Sequence, residues 1–218
     1  MAAAAQRVSR DPTGITLMAV SKTFPAEKII EAFAAGQRVF GENRVQEFES
    51  KAPELRGLRD AGFHLIGHLQ SNKAHKAATL FHAVDSVDSL KLAERLNAAA
   101  VARKLPVLIE INVGGEDQKA GLYPESVELE ELFQASTGLT NLEIRGLMCI
   151  PPHTDDPKGA RPFFRKLREL RDRLCDRHRV ELPELSMGMS HDFEIAIEEG
   201  STCVRVGTAI FGQRIKKP

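Results

Sequence analysis

Short apolar runs of strand length alternate along the chain with longer stretches in which apolar positions recur every three or four residues. The first run, Ile15–Lys22, is followed by Thr23-Phe24-Pro25 and then by a helical period over Ala26–Ala35, closed by Gly36. Val39–Phe40 reads as a second strand, with a helix from about Asn43 to Leu55. His64–Gly67 is a third, followed by a helix over Ser71–Leu80. Ala83–Ser86 is a fourth, and Asp88 is placed to cap a long helix reaching Lys104. Pro106–Val113, rich in Val and Ile, is the fifth; a loop with Gly114, Gly115 and Gly121 leads to a helix from Pro124 to about Thr137. Ile144–Ile150 is the sixth strand, separated by the loop Pro151–Gly159 from a charged helix, Ala160–His178. Glu184–Met187 and a short helix over Asp192–Glu199 precede the last β unit, Thr202–Phe211.

Strands separated by helices imply a parallel sheet, because parallel neighbours need a crossover. Eight such units are the number that closes a (β/α)8 TIM barrel, and 218 residues lie near the lower limit for one. The expected fold is therefore α/β, a single barrel domain over residues 1–218, with an open doubly wound sheet as the alternative. No linker, repeat or low-complexity segment divides the chain.

Composition narrows the partners. Lys+Arg and Asp+Glu are both 30, so the formal net charge is zero, which argues against nucleic acid or an anionic membrane as main partner. No run of 18 apolar residues exists, so no spanning helix is expected. The Ala-rich start reads as a first helix rather than a transit peptide. Cys149, Cys175 and Cys203 are far apart and form no CxxC, as expected of free thiols in a reducing cytoplasm. His64, His68 and His75 do not have ligand spacing for the strand and helix they fall on, so no metal site is expected. Gly207 and Gly212 form GxxxxG, but Gln213 follows where a nucleotide P-loop has Lys.

Chemistry in such a barrel collects at the C-terminal ends of the strands. Lys22 ends the buried run Leu17-Met18-Ala19-Val20. A lysine there is desolvated, its neutral form is favoured, and a neutral amine attacks an aldehyde to form an imine; the bland reading is a lysine that reaches solvent or pairs with a carboxylate. Phosphate is commonly held on the loops after strands seven and eight. Here those loops offer the hydroxyls of Ser190 and Thr208, with Gly207 allowing close backbone approach. Asn43, His68, Asp85, Ser86, Asn112 and Arg205 fall on the same rim.

Several stretches carry a family resemblance: Ala19-Val20-Ser21-Lys22-Thr23, Phe40-Gly41-Glu42-Asn43, His64-Leu65-Ile66-Gly67-His68-Leu69-Gln70-Ser71-Asn72-Lys73, Arg145-Gly146-Leu147-Met148, Leu185-Ser186-Met187-Gly188-Met189-Ser190, and Val204-Arg205-Val206-Gly207-Thr208-Ala209-Ile210-Phe211-Gly212. In this order they resemble the pyridoxal phosphate homeostasis protein family, whose barrel is similar to the N-terminal domain of alanine racemase. The resemblance implies that Lys22 holds pyridoxal 5′-phosphate (PLP) as an imine, that Ser190, Gly207 and Thr208 hold its phosphate, that Arg205 faces the pyridine nitrogen, and that Asn43 lies near the cofactor. An arginine only donates and stays charged, so it would leave that nitrogen unprotonated and the ring a weak electron sink. The family usually has a longer first helix than this chain.

The expected function is a cytoplasmic PLP carrier acting in PLP homeostasis, with no catalytic residue assigned and apo PLP-dependent enzymes as recipients. The main alternative is an amino-acid racemase or related PLP enzyme. Racemases of this type add a β domain whose tyrosine serves as second base; here the only tyrosine is Tyr123, in the loop region after strand five. A barrel enzyme acting on a phosphorylated metabolite without cofactor is a third reading. A monomer or weak dimer is expected.

Overall fold

The structure, a computed structural model, describes residues 1–213. Eight parallel strands follow one another in chain order: β1 (Thr16–Val20), β2 (Val39–Glu42), β3 (Gly62–Leu65), β4 (Ala83–Val87), β5 (Leu105–Glu110), β6 (Leu142–Met148), β7 (Glu184–Met189) and β8 (Cys203–Val206). β8 returns to pair with β1, Met18 lying opposite Arg205, so the sheet is a closed barrel and the open-sheet alternative falls. Around it run α1 (Ala2–Arg7), α2 (Ala26–Ala34), α3 (Val45–Leu55), α4 (Ala74–Leu80), α5 (Leu90–Ala99), α6 (Val127–Ala135), α7 (Arg161–His178), α8 (Phe193–Glu198) and α9 (Thr208–Phe211).

Strand parity divides the side chains into two sets. Met18, Val20, Ile66 and Cys203 pack together inside the barrel. Ala19, Phe40, Phe63, Leu65, Val84, Val107, Ile109, Leu147 and Leu185 face outward and join the larger core beneath the helices. In α7 the buried residues are Phe164, Leu167, Leu170 and Leu174, the spacing of one helix face.

Several element ends differ from the sequence reading by a few residues, and at four points the physical reason is plain. α5 is capped by Ser89, whose hydroxyl accepts from Leu92 N–H at 3.3 Å, while Asp88 binds His68 instead. It ends at Ala99 rather than Lys104, and beyond it the Arg103 guanidinium bonds the carbonyls of Phe81 and His82. β5 stops at Glu110: Gly121, at φ +107°, folds the following loop back so that Leu122 N–H bonds Glu110 O at 2.8 Å. β8 stops at Val206, because the chain turns at Gly207 into α9, where the Phe211 ring packs, tilted by 30°, with its centroid 5.1 Å from that of Phe24.

The short α1 buries Ala4 and Ala5 against Ile15, Ile197, Val204 and Val206, on the outer side of β8 and α8. Arg7 ties it to Glu194 and Glu198. Among the described residues, no helix is long and apolar enough to cross a membrane.

Candidate functional site

Parity at the end of β1 assigns Ser21 and Lys22 to different sides. Ser21 continues the outward face of Ala19 and is fully buried. Its hydroxyl donates to Glu42 Oε1 at 2.8 Å, and Glu42 also receives Lys51 Nζ at 3.0 and 3.2 Å. Lys51, reaching in from α3, further donates to Ser21 O at 3.2 Å and to Glu47 Oε1 at 2.7 Å. Glu47 in turn accepts Thr23 N–H at 2.5 Å. That bond holds Thr23 at φ +69°, a conformation that a β-branched residue rarely adopts. Two carboxylates and one ammonium thus clamp the residues on either side of Lys22. Burial raises the Glu42 pKa, partly offset by Lys51 and the Ser21 hydroxyl. Burial also opposes ionisation of Glu47, but Lys51 and the Thr23 amide outweigh it and lower its pKa.

Lys22 follows the inward parity of Met18 and Val20 into a cavity of 530 Å³ at the barrel mouth, a size usual for small-molecule sites. Asn43, Ser190, Arg205, Gly207 and Thr208 line the same cavity, so Lys22 and the five residues that the resemblance sets near the cofactor come together. β8 lies between β1 and β7 in the barrel, which makes Lys22 the rim neighbour of Gly207 and Thr208, and Ser190 the next beyond.

Local geometry explains each placement. Arg205 is 3% exposed; its guanidinium donates to Ser186 O and Oγ at 2.7 and 2.8 Å and to Cys149 O at 2.7 Å. Ser190 leaves β7 after Gly188, which sits at φ +94° with no room for a side chain: a Cβ would lie 2.4 Å from the Ala196 methyl. Asp192 Oδ1 then accepts Met189 N–H at 2.6 Å and fixes the turn. Gly67 packs against the Asn43 backbone, where a Cβ would meet the Asn43 carbonyl oxygen at 2.3 Å, so the ends of β2 and β3 are drawn together. Gly207 differs: its φ is −112°, and a Cβ would make only ordinary contact with Val20 at 3.4–3.5 Å. The protein itself does not require glycine there, so the space beside it is left open on the cavity side.

Three sequence-derived rim residues lie elsewhere. Asn112 is past the end of β5 and braces the glycine loop through Glu116 and Lys119. Ser86 donates to Gly67 O at 2.7 Å. Asp85 points to the opposite, N-terminal end of the barrel, 3.1 Å from His64 Nδ1. Its charge and hydrogen bond outweigh the burial of His64 and raise the histidine pKa. Cys149 and Cys203 are buried, with thiols pushed up to about 12 by burial.

Glu110 is the cavity residue that the sequence reading missed. It ends β5 on the parity of inward Leu108 and is 6% exposed. Its Oε2 is buried without a hydrogen-bond partner. Burial, with the charge of Asp88, pushes its carboxyl up to about 7 against the pull of Arg205 and His68. Lys119 and His191 also line the cavity. The site therefore carries more ionisable groups than Lys22 and Arg205.

The model of the alanine racemase N-terminal domain matches residues 2–215. The pyridoxal phosphate homeostasis protein of Aquifex aeolicus is 47% identical over 213 residues, 97% of this chain and 92% of that relative. The chain belongs to the pyridoxal phosphate homeostasis protein family. The mouse member is 43% identical over 233 residues, covering 98% of this chain and 84% of its own. PipY of Synechococcus elongatus, solved with PLP bound, superposes with TM-score 0.85 at 42% identity, over 95% of this chain and 97% of its own. Alanine racemase from Corynebacterium glutamicum shares the fold at TM-score 0.69 and 20% identity, over 92% of this chain and 56% of the racemase. The homeostasis family and the racemase barrel thus meet in this chain at the level of fold.

Proposed function

We propose that residues 1–218 form one cytoplasmic unit that binds PLP through an imine to Lys22 and carries it within the cell's PLP pool, for delivery to apo enzymes that need it. One observation carries the reading: Lys22 shares a cavity with Ser190, Gly207 and Thr208 on adjacent strand ends, an amine beside a cradle suited to phosphate. The donor set fits the group. Ser190 and Thr208 offer hydroxyls to phosphate oxygens, and the space beside Gly207 admits an anion close to the backbone. Arg205, fastened by three bonds, would offer the ring nitrogen a positive partner, and Asn43 lines the cavity on the β2 side.

Bound PLP supplies an aldehyde that condenses with amines and a ring that withdraws electrons. The chain's own part is to keep the Lys22 amine at the mouth, to line the cavity with apolar Val20 and Ile66, and to hold the Arg205 guanidinium in place. The names of the relatives, homeostasis proteins rather than racemases, support carriage over turnover. Tyr123, the one tyrosine, is exposed, bonds Asp117 and does not line the cavity, so it offers no second base there.

Purified protein incubated with PLP should develop a visible imine band that Lys22→Ala abolishes. An unchanged band in Lys22→Ala refutes the tether. The loaded protein should restore activity to an apo PLP enzyme and should not interconvert alanine enantiomers. Racemisation that disappears in Lys22→Ala would replace the carrier by an enzyme.

A further inference from the structure

Among the described residues, the Oε2 of Glu110 is the one buried side-chain polar atom without a hydrogen-bond partner, and it lies in the wall of this cavity. Leaving a carboxyl oxygen desolvated without a partner is unfavourable unless a ligand supplies the partner. The barrel also fixes where Glu110 stands: β5 is diametrically opposite β1, so Glu110 faces Lys22 across the mouth. A molecule tethered at Lys22 lies between the two.

Resting on the PLP reading, we propose that Glu110, as a neutral carboxylic acid, donates a hydrogen bond to a ring oxygen of the ligand held at Lys22 and thereby sets that ring's charge.

The electrostatics support a neutral acid. Asp88, from the loop after β4, repels a charge on Glu110, while Arg205 on β8 and His68 after β3 attract one. The buried Cys149 thiol beyond β6 stays protonated and adds no charge. Lys119 of the β5–α6 loop lines the same cavity and is drawn toward Glu116 and the Pro151 carbonyl. The balance leaves the carboxyl titrating at about 7. A ligand bearing phosphate and a ring oxygen anion adds negative charge and favours the protonated acid further.

The test uses the full chain loaded with PLP, freed of excess, and scored per loaded molecule by mass after borohydride reduction. The visible band is recorded from about pH 5.5 to about pH 9, spanning the ordinary and raised carboxyl ranges. Wild type should show one transition with its midpoint at or above about 7. Glu110→Gln should hold the low-pH spectrum throughout, because an amide donates but does not titrate. Glu110→Ala should show a spectrum unlike either and surrender PLP to a competing amine several-fold faster. A Glu110→Gln transition that overlays wild type, or a Glu110→Ala spectrum and release rate equal to wild type, overturns the assignment. Wild-type protein that takes up no PLP brings down the cofactor reading itself, which separates the two failures.

Discussion

Replacing Lys51 by Met isolates the clamp behind Lys22. Methionine keeps the length of the stem and removes the ammonium, which is side-chain-buried and bonded to Glu42, Glu47 and Ser21 O. Glu42, fully buried, keeps only the Ser21 hydroxyl. Removing one partner of such a buried pair generally costs about 3–5 kcal/mol. The carboxylate has an escape, since it can take up a proton. From an ordinary value of 4.5, that uptake costs about 1.4 kcal/mol per pH unit above it. The Glu42 share of the loss is thus capped near 5 kcal/mol at about pH 8 and near 1 kcal/mol at about pH 5.

The direction follows from linkage. Glu42 has a raised pKa in the folded state, and Lys51→Met raises it further, so the folded chain binds more protons than the unfolded one. Stability therefore declines as pH climbs from 4.5 toward the folded value and levels off beyond it. Urea unfolding of wild type and Lys51→Met at the two pH values reads this directly. The expected loss is about 3–5 kcal/mol at the higher pH and about 1–2 kcal/mol at the lower, the remainder reflecting the Glu47 and Ser21 bonds. Adding Glu42→Gln should remove most of the pH dependence. A loss under about 1 kcal/mol at the higher pH, or an equal loss at both, refutes the idea that a buried carboxylate is being held charged.

Gly207→Ala separates space kept for a ligand from space needed by the fold: with only ordinary contacts to Val20, it should change stability by under about 0.5 kcal/mol while PLP affinity drops severalfold, measured by band titration. Gly188→Ala should do the reverse of the first part, costing about 2–4 kcal/mol from its positive φ and the collision with Ala196, measured by urea unfolding. At the barrel's N-terminal end, His64 has a raised pKa, so its pairing with Asp85 contributes fully below the ordinary 6.5 and fades as pH rises through the raised value. Wild type should accordingly lose more Tm between about pH 6 and pH 8 than Asp85→Asn; equal slopes would show that the pair is not the source.

The eight strands were legible because a buried parallel strand is a compact apolar run between turn signals, a pattern that survives without knowledge of its neighbours. Strand ends were less so. Whether a strand stops at Glu110 or Val113 is decided by the turn at Gly121 that brings Leu122 N–H back onto the Glu110 carbonyl, a contact twelve residues away that no local pattern encodes. That misplaced end is why Asn112 was taken for a rim residue and Glu110 was not. The same holds at Asp85, whose place near one mouth or the other depends on the stagger between β4 and its partners. Lys22, Ser190, Gly207 and Thr208 were readable because they follow short strands whose ends coincide with a polar residue or a glycine.

The clamp behind Lys22 was invisible for a different reason, and it says how the site is built. Ser21 and Glu42 occupy outward positions, where the large core is otherwise apolar, and a polar residue on that face makes sense only against a partner from a helix. Lys51 is that partner, and the sequence alone assigns it to an ordinary charged helix. Its buried position converts the space between β1, β2 and α3 into a rigid support for the turn that carries Lys22. Arg205 shows the inward counterpart: its bonds to Ser186 and Cys149 join three consecutive strands under the cavity floor. At the end of β1 neighbouring residues divide the work, Lys22 reaching into the cavity while Ser21 anchors the backbone, whereas Arg205 does both. A group that must meet a ligand at a set distance is thus held by interactions the ligand never touches, and so can be weakened independently of the chemistry at the mouth.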